Sequence, residues 1–449
     1  MSNLLYDKKT TFGRLFLYFT AYFSGVSAPT VQTLVLFLLS MLALESADSV
    51  RFIFKHFMAR VWYKSLNSLY YAISYAKVDH AAFLPINARL ALGCVPCDLA
   101  TQPVFICIDD TMVEKFGKKF ECVSKLFDHA AHNGSNYLNG HCFVSLSLQV
   151  PVWKKQKIAY MSVPLGYRMW TKEKTKLQIA REMVTLVIPE LSNVRNVIIL
   201  CDSWYAKSEI FALTKEFKNL DLICNVRSDT AMYGPAPART GKKGRPATRG
   251  SRIGLDGFEL SGEKIGGYFI GVQTVITNLL KKTELTAFVT ATEKTGGSRR
   301  LFLSTVTPAF LLVHCALHEK APINQTGSSW MKYIPLFLYN YRWPIEVNFY
   351  EHKTFWSLCS YMVRGIHGIE MMVNLINVAY CATRILPHKD PVFSDYKSMG
   401  AQEFRFVLSQ QIREQVFLHS FVPFLEKAEK PGVFKSWLNH CSFYKKQAA

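Results

Sequence analysis

Two short apolar runs, each ending in aspartate, constrain this chain more than any other feature. Val104–Ile108 is apolar throughout and is followed at once by Asp109 and Asp110. Val197–Cys201 is apolar throughout and is followed by Asp202. Runs of this length and composition suit strands covered on both faces. Between them, Val144, Leu146, Leu148 and Val150 alternate with Ser145, Ser147 and Gln149, the two-residue period of a strand. Ile158–Leu165 reads as a third strand, and Leu177–Ile188 has the spacing of an amphipathic helix. Three strands, a helix and a fourth strand predict an α/β core. Carboxylates at the ends of the first and fourth strands can then meet at one edge of it.

The flanking segments differ in character. Residues 1–100 predict a helical domain. Apolar residues recur with helical spacing over Leu15–Phe23, Val31–Leu44, Val50–Phe57 and Leu66–Tyr75, with Arg51, Lys55, Arg60, Lys64 and Lys77 among them. Such a domain can place a helix in a DNA groove or serve only for packing. The first part of the core covers 101–226. A β-rich insertion over 227–338 opens with a Gly-, Pro- and base-rich stretch, Tyr233–Arg252. It continues with strands at Tyr268–Ile276, Glu284–Thr292 and Leu301–Thr305. Residues 339–449 hold the rest of the core and a C-terminal helical region.

Lysine and arginine number 53 against 33 acids, a formal charge of +20. That excess predicts a polyanionic partner, either nucleic acid or an anionic membrane surface. A hydrophobic share of 49% excludes a disordered chain. Scattered cysteines and a polar, charged Met1–Thr11 predict a reduced, cytoplasmic setting. Cys94 and Cys97 have the spacing of half a zinc site, but no second pair follows at a suitable distance. Thr33–Leu44 is shorter than the roughly 20 residues that cross a bilayer. It predicts a buried helix and no membrane partner.

One further segment carries chemistry. In Tyr339–Lys353, Pro344 suits the first turn of a helix, where its missing N–H has no partner to lose. Glu346 then lies in that first turn, favoured by the helix dipole. Arg342 sits just before the helix, and Lys353 lies two turns beyond Glu346 on the same face. A carboxylate flanked by two cations is what a site for Mg²⁺ and a phosphodiester requires.

Tyr339, Arg342, Glu346 and Lys353 also reproduce the spacing Y-(2)-R-(3)-E-(6)-K. In this the chain resembles a large group of bacterial insertion-sequence transposases, DDE enzymes with a ribonuclease-H-like catalytic core. A chance match to four fixed residues somewhere in the chain is on the order of a few in a thousand. Members of that group carry the first aspartate as D-x-T, here Asp109-Asp110-Thr111, and the second after the fourth core strand, here Asp202. The resemblance covers about Phe105 to Ile385.

The resemblance implies that Asp109, Asp202 and Glu346 are catalytic and ligate two Mg²⁺ ions, for which Mn²⁺ can substitute. It implies cleavage at the ends of a mobile element and strand transfer by the freed 3′-hydroxyl. The implied partners are double-stranded DNA, as terminal inverted repeats and target, and a second copy of the chain on that DNA, in the cytoplasm at the nucleoid. Tyr339, Arg342 and Lys353 correspond to phosphate contacts near the cleavage point. A silent DNA-binding derivative and a simple nuclease of the same fold are the alternatives.

Other residues are less constrained. Lys242, Lys243 and Arg245 form a basic, Gly-containing loop that suits minor-groove or nonspecific DNA contact. Trp343 suits either stacking on a base or the core. His129, His132 and His141 read as structural. Strand parity groups Phe105, Cys107 and Asp109 on one face and Val104, Ile106, Ile108 and Asp110 on the other. Parity alone does not choose between the aspartates. The D-x-T spacing selects Asp109, and leaves Asp110 to support the following turn or the Lys115 region.

Overall fold

The computed structural model describes residues 6–44, 49–117, 119–128, 136–238, 247–306 and 332–425. Lys242, Lys243, Arg245, His129 and His132 lie outside the described residues. The chain divides into two compact units: Met1–Ile86, Met112–His141 and Phe349–Ala449 in one, Asn87–Thr111 and Cys142–Asn348 in the other.

The strands are β1 (Val104–Glu114), β2 (Ser124–Phe127), β3 (Tyr137–Lys154), β4 (Lys157–Met169), β5 (Val197–Cys201), β6 (Leu220–Val226), β7 (Met232–Tyr233), β8 (Arg252–Ile253), β9 (Phe269–Thr277), β10 (Glu284–Ala291) and β11 (Arg299–Ser304). In the second unit they order as β4-β3-β1-β5-β6-β11-β10-β9-β7-β8. β1 and β5 are parallel, as are β5 and β6, whereas β3 and β4, β6 and β11, and the strands beyond are antiparallel. A mixed sheet with helices fits a ribonuclease-H-like core. The strands expected in 227–338 form, and they extend this sheet through the pairing of β11 with β6.

The helices of this unit follow from local signals. Lys176–Val187 (α5) starts at Thr175, whose hydroxyl accepts from the Gln178 N–H while the Gln178 side chain accepts from the Thr175 N–H. Ser208–Glu216 (α6) joins the parallel β5 and β6, and α5 packs on it. The polar face of β3 is covered rather than solvated: Ser145, Ser147 and Gln149 are buried. Two of them donate to the neighbouring strand. The Ser145 hydroxyl donates to the Gly166 carbonyl at 3.0 Å and the Gln149 amide to Ser162 Oγ at 3.0 Å. The Asn348 amide donates to the same Ser162 oxygen at 2.9 Å, so the polar stripe of the strands receives the helix Pro344–Phe355 (α7).

The other unit gathers helices from both ends of the chain: Thr11–Thr20 (here α1), Ala28–Ala43 (α2), Leu66–Ser74 (α3), Ile366–Lys389 (α8) and Ala401–Leu425 (α9). Phe83–Leu92 (α4) straddles the unit boundary. Arg405 is buried, and it donates to the Met41 and Leu44 carbonyls at 2.9 and 2.6 Å, at the C-terminal end of α2. Those carbonyls have no partner within the helix, and a cation also suits the negative end of its dipole. Thr33–Ala43 is buried, as expected of a core helix, and Leu44, the residue after it, is half-buried. Among the described residues α8 alone is long and apolar enough to cross a membrane, and 89% of its apolar window is buried. His141 is buried between the Tyr361 hydroxyl at 2.6 Å and the Glu121 carbonyl at 2.8 Å.

Candidate active site

The register of the parallel strands sets two aspartates side by side. The last β1–β5 pair is Ile108 with Cys201, and the next residues along the two strands are Asp109 and Asp202. Neighbouring strands lie about 4.8 Å apart, so the two carboxylates share the carboxyl edge of the sheet. β1 itself runs on to Glu114, so Asp109 and Asp110 lie within the strand, beyond the part that β5 covers. Asp202 closes a tight turn: its Oδ1 accepts from the N–H groups of Trp204 at 3.0 Å and Tyr205 at 3.2 Å.

The turn Tyr339–Arg342 is seated on one face of β1. The Phe105 ring stacks on Tyr341 with centroids 4.7 Å apart, and the Cys107 thiol donates to the Tyr341 carbonyl at 3.2 Å. The next residue on that face is Asp109, and it meets Arg342. One guanidinium nitrogen lies 3.0 Å from Asp109 Oδ2 and 3.2 Å from Glu346 Oε1. Glu346 is in the first turn of α7, which begins at Pro344 as the sequence predicts. The Tyr339 hydroxyl donates to the Cys201 carbonyl at 3.2 Å, bracing the end of β5 just before Asp202. Lys353 is half-buried in the last turn of α7. Trp343 is 64% exposed.

Charge is crowded here. Burial first, and then the charges of Glu346 and Asp202, push the Asp109 carboxyl well above the usual carboxylate range, against the Asp110 N–H and Arg342. Asp202 is raised too, chiefly by burial, against its two N–H donors and Arg342. Burial also pushes the Tyr339 hydroxyl up.

Asp110 faces the other way and has different company. Its Oδ1 accepts from the Tyr205 hydroxyl at 2.8 Å, and its Oδ2 from Lys176 Nζ at 2.9 Å and the Cys142 thiol at 3.2 Å. The expectation that Asp110 supports the following turn or the Lys115 region is corrected: its side chain meets Tyr205 and Lys176, the latter at the start of α5. The Lys115 ammonium instead donates to the Cys359 and Tyr361 carbonyls at 2.7 and 2.9 Å. Nothing in the sequence spacing marks Lys176, which lies 66 positions from Asp110. Trp204 and Tyr205 could have been flagged by their adjacency to Asp202.

Residues 22–258, more than half of the chain, match the family described as DDE superfamily endonuclease. The chain belongs to the DDE superfamily endonucleases. The matched stretch holds Asp109 and Asp202 and stops before Glu346. No curated protein matches the sequence. Among solved structures, the NurA nuclease from Sulfolobus solfataricus aligns over 56% of this chain and 84% of its own, at 11% identity and a TM-score of 0.23. So low a score carries no argument about fold or chemistry.

Enzymes of this superfamily generally use divalent metal ions. The donor set at the carboxyl edge has the right chemistry: hard oxygens from Asp109, Asp202 and Glu346, with negative charge in excess of the single guanidinium between them. In the arrangement described, Arg342 holds the gap between Asp109 and Glu346. Among the described residues no three His, Cys, Asp or Glu side chains converge closely enough to hold a metal ion. The site is thus neutralised in part by its own arginine.

Proposed function

We propose that this DDE superfamily endonuclease is a DNA transposase, which cuts DNA at the ends of a mobile element and joins the freed 3′-hydroxyl to a target. Asp109, Asp202 and Glu346 would hold two Mg²⁺ ions, with Mn²⁺ as a substitute. Bound there, the ions supply an activated water or 3′-hydroxyl and stabilise the leaving 3′-oxygen. The observation that carries the reading is the Arg342 guanidinium between Asp109 and Glu346, with Asp202 level with Asp109 on the adjoining strand.

The chain's own residues have separate tasks. The β1–β5 register and the Trp204 and Tyr205 N–H groups orient the two aspartates. Tyr339 secures the end of β5. Arg342, once off Asp109, would bind a phosphate oxygen beside the scissile bond, with Lys353 further along the strand. Phosphate contact by Arg suits its planar fork of donors. The formal charge of +20 would serve the DNA duplex, and Lys242, Lys243 and Arg245 would add contacts outside the site. The working form would be two copies on paired DNA ends at the nucleoid.

The test has two parts. Asp202→Asn and Glu346→Gln should abolish Mg²⁺-dependent cleavage of element ends while DNA binding persists, because an amide is a poor ligand for a hard cation. A variant that cuts at the wild-type rate would sink the carboxylate assignment. The family description, endonuclease, favours one competing reading, cutting without joining. Pre-cut ends in a single-turnover assay separate the two: joined product supports a transposase, and its absence beside active cutting leaves a nuclease.

A further inference from the structure

We propose that Trp204 is a base-stacking platform, on which one unpaired nucleobase of the DNA strand lies beside Asp202. This rests on the DNA-processing reading above and adds a contact to it.

Trp204 belongs to the turn that carries Asp202, since its N–H donates to Asp202 Oδ1 at 3.0 Å. The residue is nonetheless 42% exposed. The ring is also clamped. Lys176 Nζ sits 4.3 Å from the indole centroid, and the Tyr205 ring meets it edge-on at 4.9 Å. Both clamps end on one carboxylate: Asp110 accepts from Lys176 at 2.9 Å and from the Tyr205 hydroxyl at 2.8 Å. Tyr205 is fully buried, and the Lys176 and Asp110 side chains are only 16% and 11% exposed. Lys176 in turn stands at the first position of α5, behind a complete capping box. The chain of contacts therefore runs from the strand edge, through Asp110, to an aromatic ring left open to solvent.

That arrangement has a physical consequence. Lys176 is ion-paired with Asp110, so its charge is not free for a phosphate, and its use is to fix the indole. A ring fixed in advance loses little freedom when a ligand lands on it. The chemistry that fits a fixed, open indole next to carboxylates is a flat, neutral, polarisable surface, and a nucleobase has one on each face. Stacking of this kind tolerates any base. It requires a base not already stacked in the duplex, which is the state of a strand opened at its end. Trp343 is more exposed, at 64%, but among the described residues no cation is seated on its ring.

The test uses the full chain with Ca²⁺ in place of Mg²⁺. The probes are short DNA duplexes ending in three unpaired nucleotides, with 2-aminopurine at one of the three positions. Wild type should quench the fluorophore at one position. Trp204→Leu should abolish that quenching and weaken binding of the unpaired-end duplex about tenfold, while fully paired duplex binds within about twofold of wild type. Trp204→Phe, which keeps an aromatic face, should retain most of the quenching. Equal quenching by wild type and Trp204→Leu, with DNA binding intact, would overturn the platform. Failure of the wild-type chain to bind any of the duplexes would instead remove the DNA reading beneath it.

Discussion

Arg342→Gln removes the cation between Asp109 and Glu346 and leaves the acids in place. At an effective dielectric near 20, a charge 3.0 Å from Asp109 Oδ2 contributes about 5 kcal/mol of attraction. Burying the guanidinium, only 15% exposed at its side chain, costs several kcal/mol of that. The Glu346 end adds less, because its side chain is 40% exposed and water screens it. What dominates is the carboxylate left behind: Asp109 is 13% exposed and already crowded by Glu346 and Asp202. Removing one partner of a buried pair typically costs 3–5 kcal/mol, and the screened glutamate reduces this to roughly 2–4 kcal/mol here. The unit that holds the site should therefore unfold roughly 4–8 °C lower at neutral pH. Millimolar Ca²⁺ or Mg²⁺ should recover part of that loss in Arg342→Gln and stabilise wild type less, since wild type carries its own counter-charge. A variant as stable as wild type would refute the buried bridge. A variant that is destabilised but indifferent to divalent cations would refute the gathering of a metal by these carboxylates.

Three further outcomes follow from other parts of the structure. Asp109→Asn should eliminate metal-dependent cleavage, whereas Asp110→Asn should leave a measurable rate, because Asp110 faces Lys176 and Tyr205; the reverse result in a cleavage assay would exchange their roles. Burial lowers Lys115 from 10.5 to about 8, so the folded state binds fewer protons than the unfolded state between those pH values. Wild type should accordingly gain stability relative to Lys115→Met as pH rises from about 8 to 10.5, and a denaturation series with no such trend would count against a strained ammonium. Arg405→Met should cost about 3–5 kcal/mol in urea unfolding, since it leaves the carbonyls of Met41, Leu44 and Phe355 without their donor; a loss under 1 kcal/mol would show those bonds to be dispensable.

The alternation in Val144–Val150 was legible as a strand, but not the burial of its polar side. Ser145, Ser147 and Gln149 are dry, and Gly166 and Ser162 on the neighbouring strand supply partners for Ser145 and Gln149. Likewise the strands of 227–338 were readable one at a time. That they continue the main sheet depends on β11 finding the edge of β6, a pairing between residues some 80 positions apart that no local pattern records.

Local chemistry was within reach of the sequence alone. Apolar runs, a proline at a helix start and a glutamate behind it are short-range signals, and each acts through its own backbone. They place Asp202 just past its strand and Glu346 in the first turn of its helix without knowledge of any neighbour, whereas Asp109 lies within β1, which runs on to Glu114. What the tertiary structure decided is which aspartate faces which partner. Both faces of β1 are apolar upstream, so the hydrophobic pattern carries no preference between Asp109 and Asp110. The preference arises when the Tyr339–Arg342 turn lands on the face of Phe105 and Cys107, and α5 brings Lys176 to Asp110. Those contacts join residues far apart in the chain, and the physical cause is packing, which exists only once the sheet has formed.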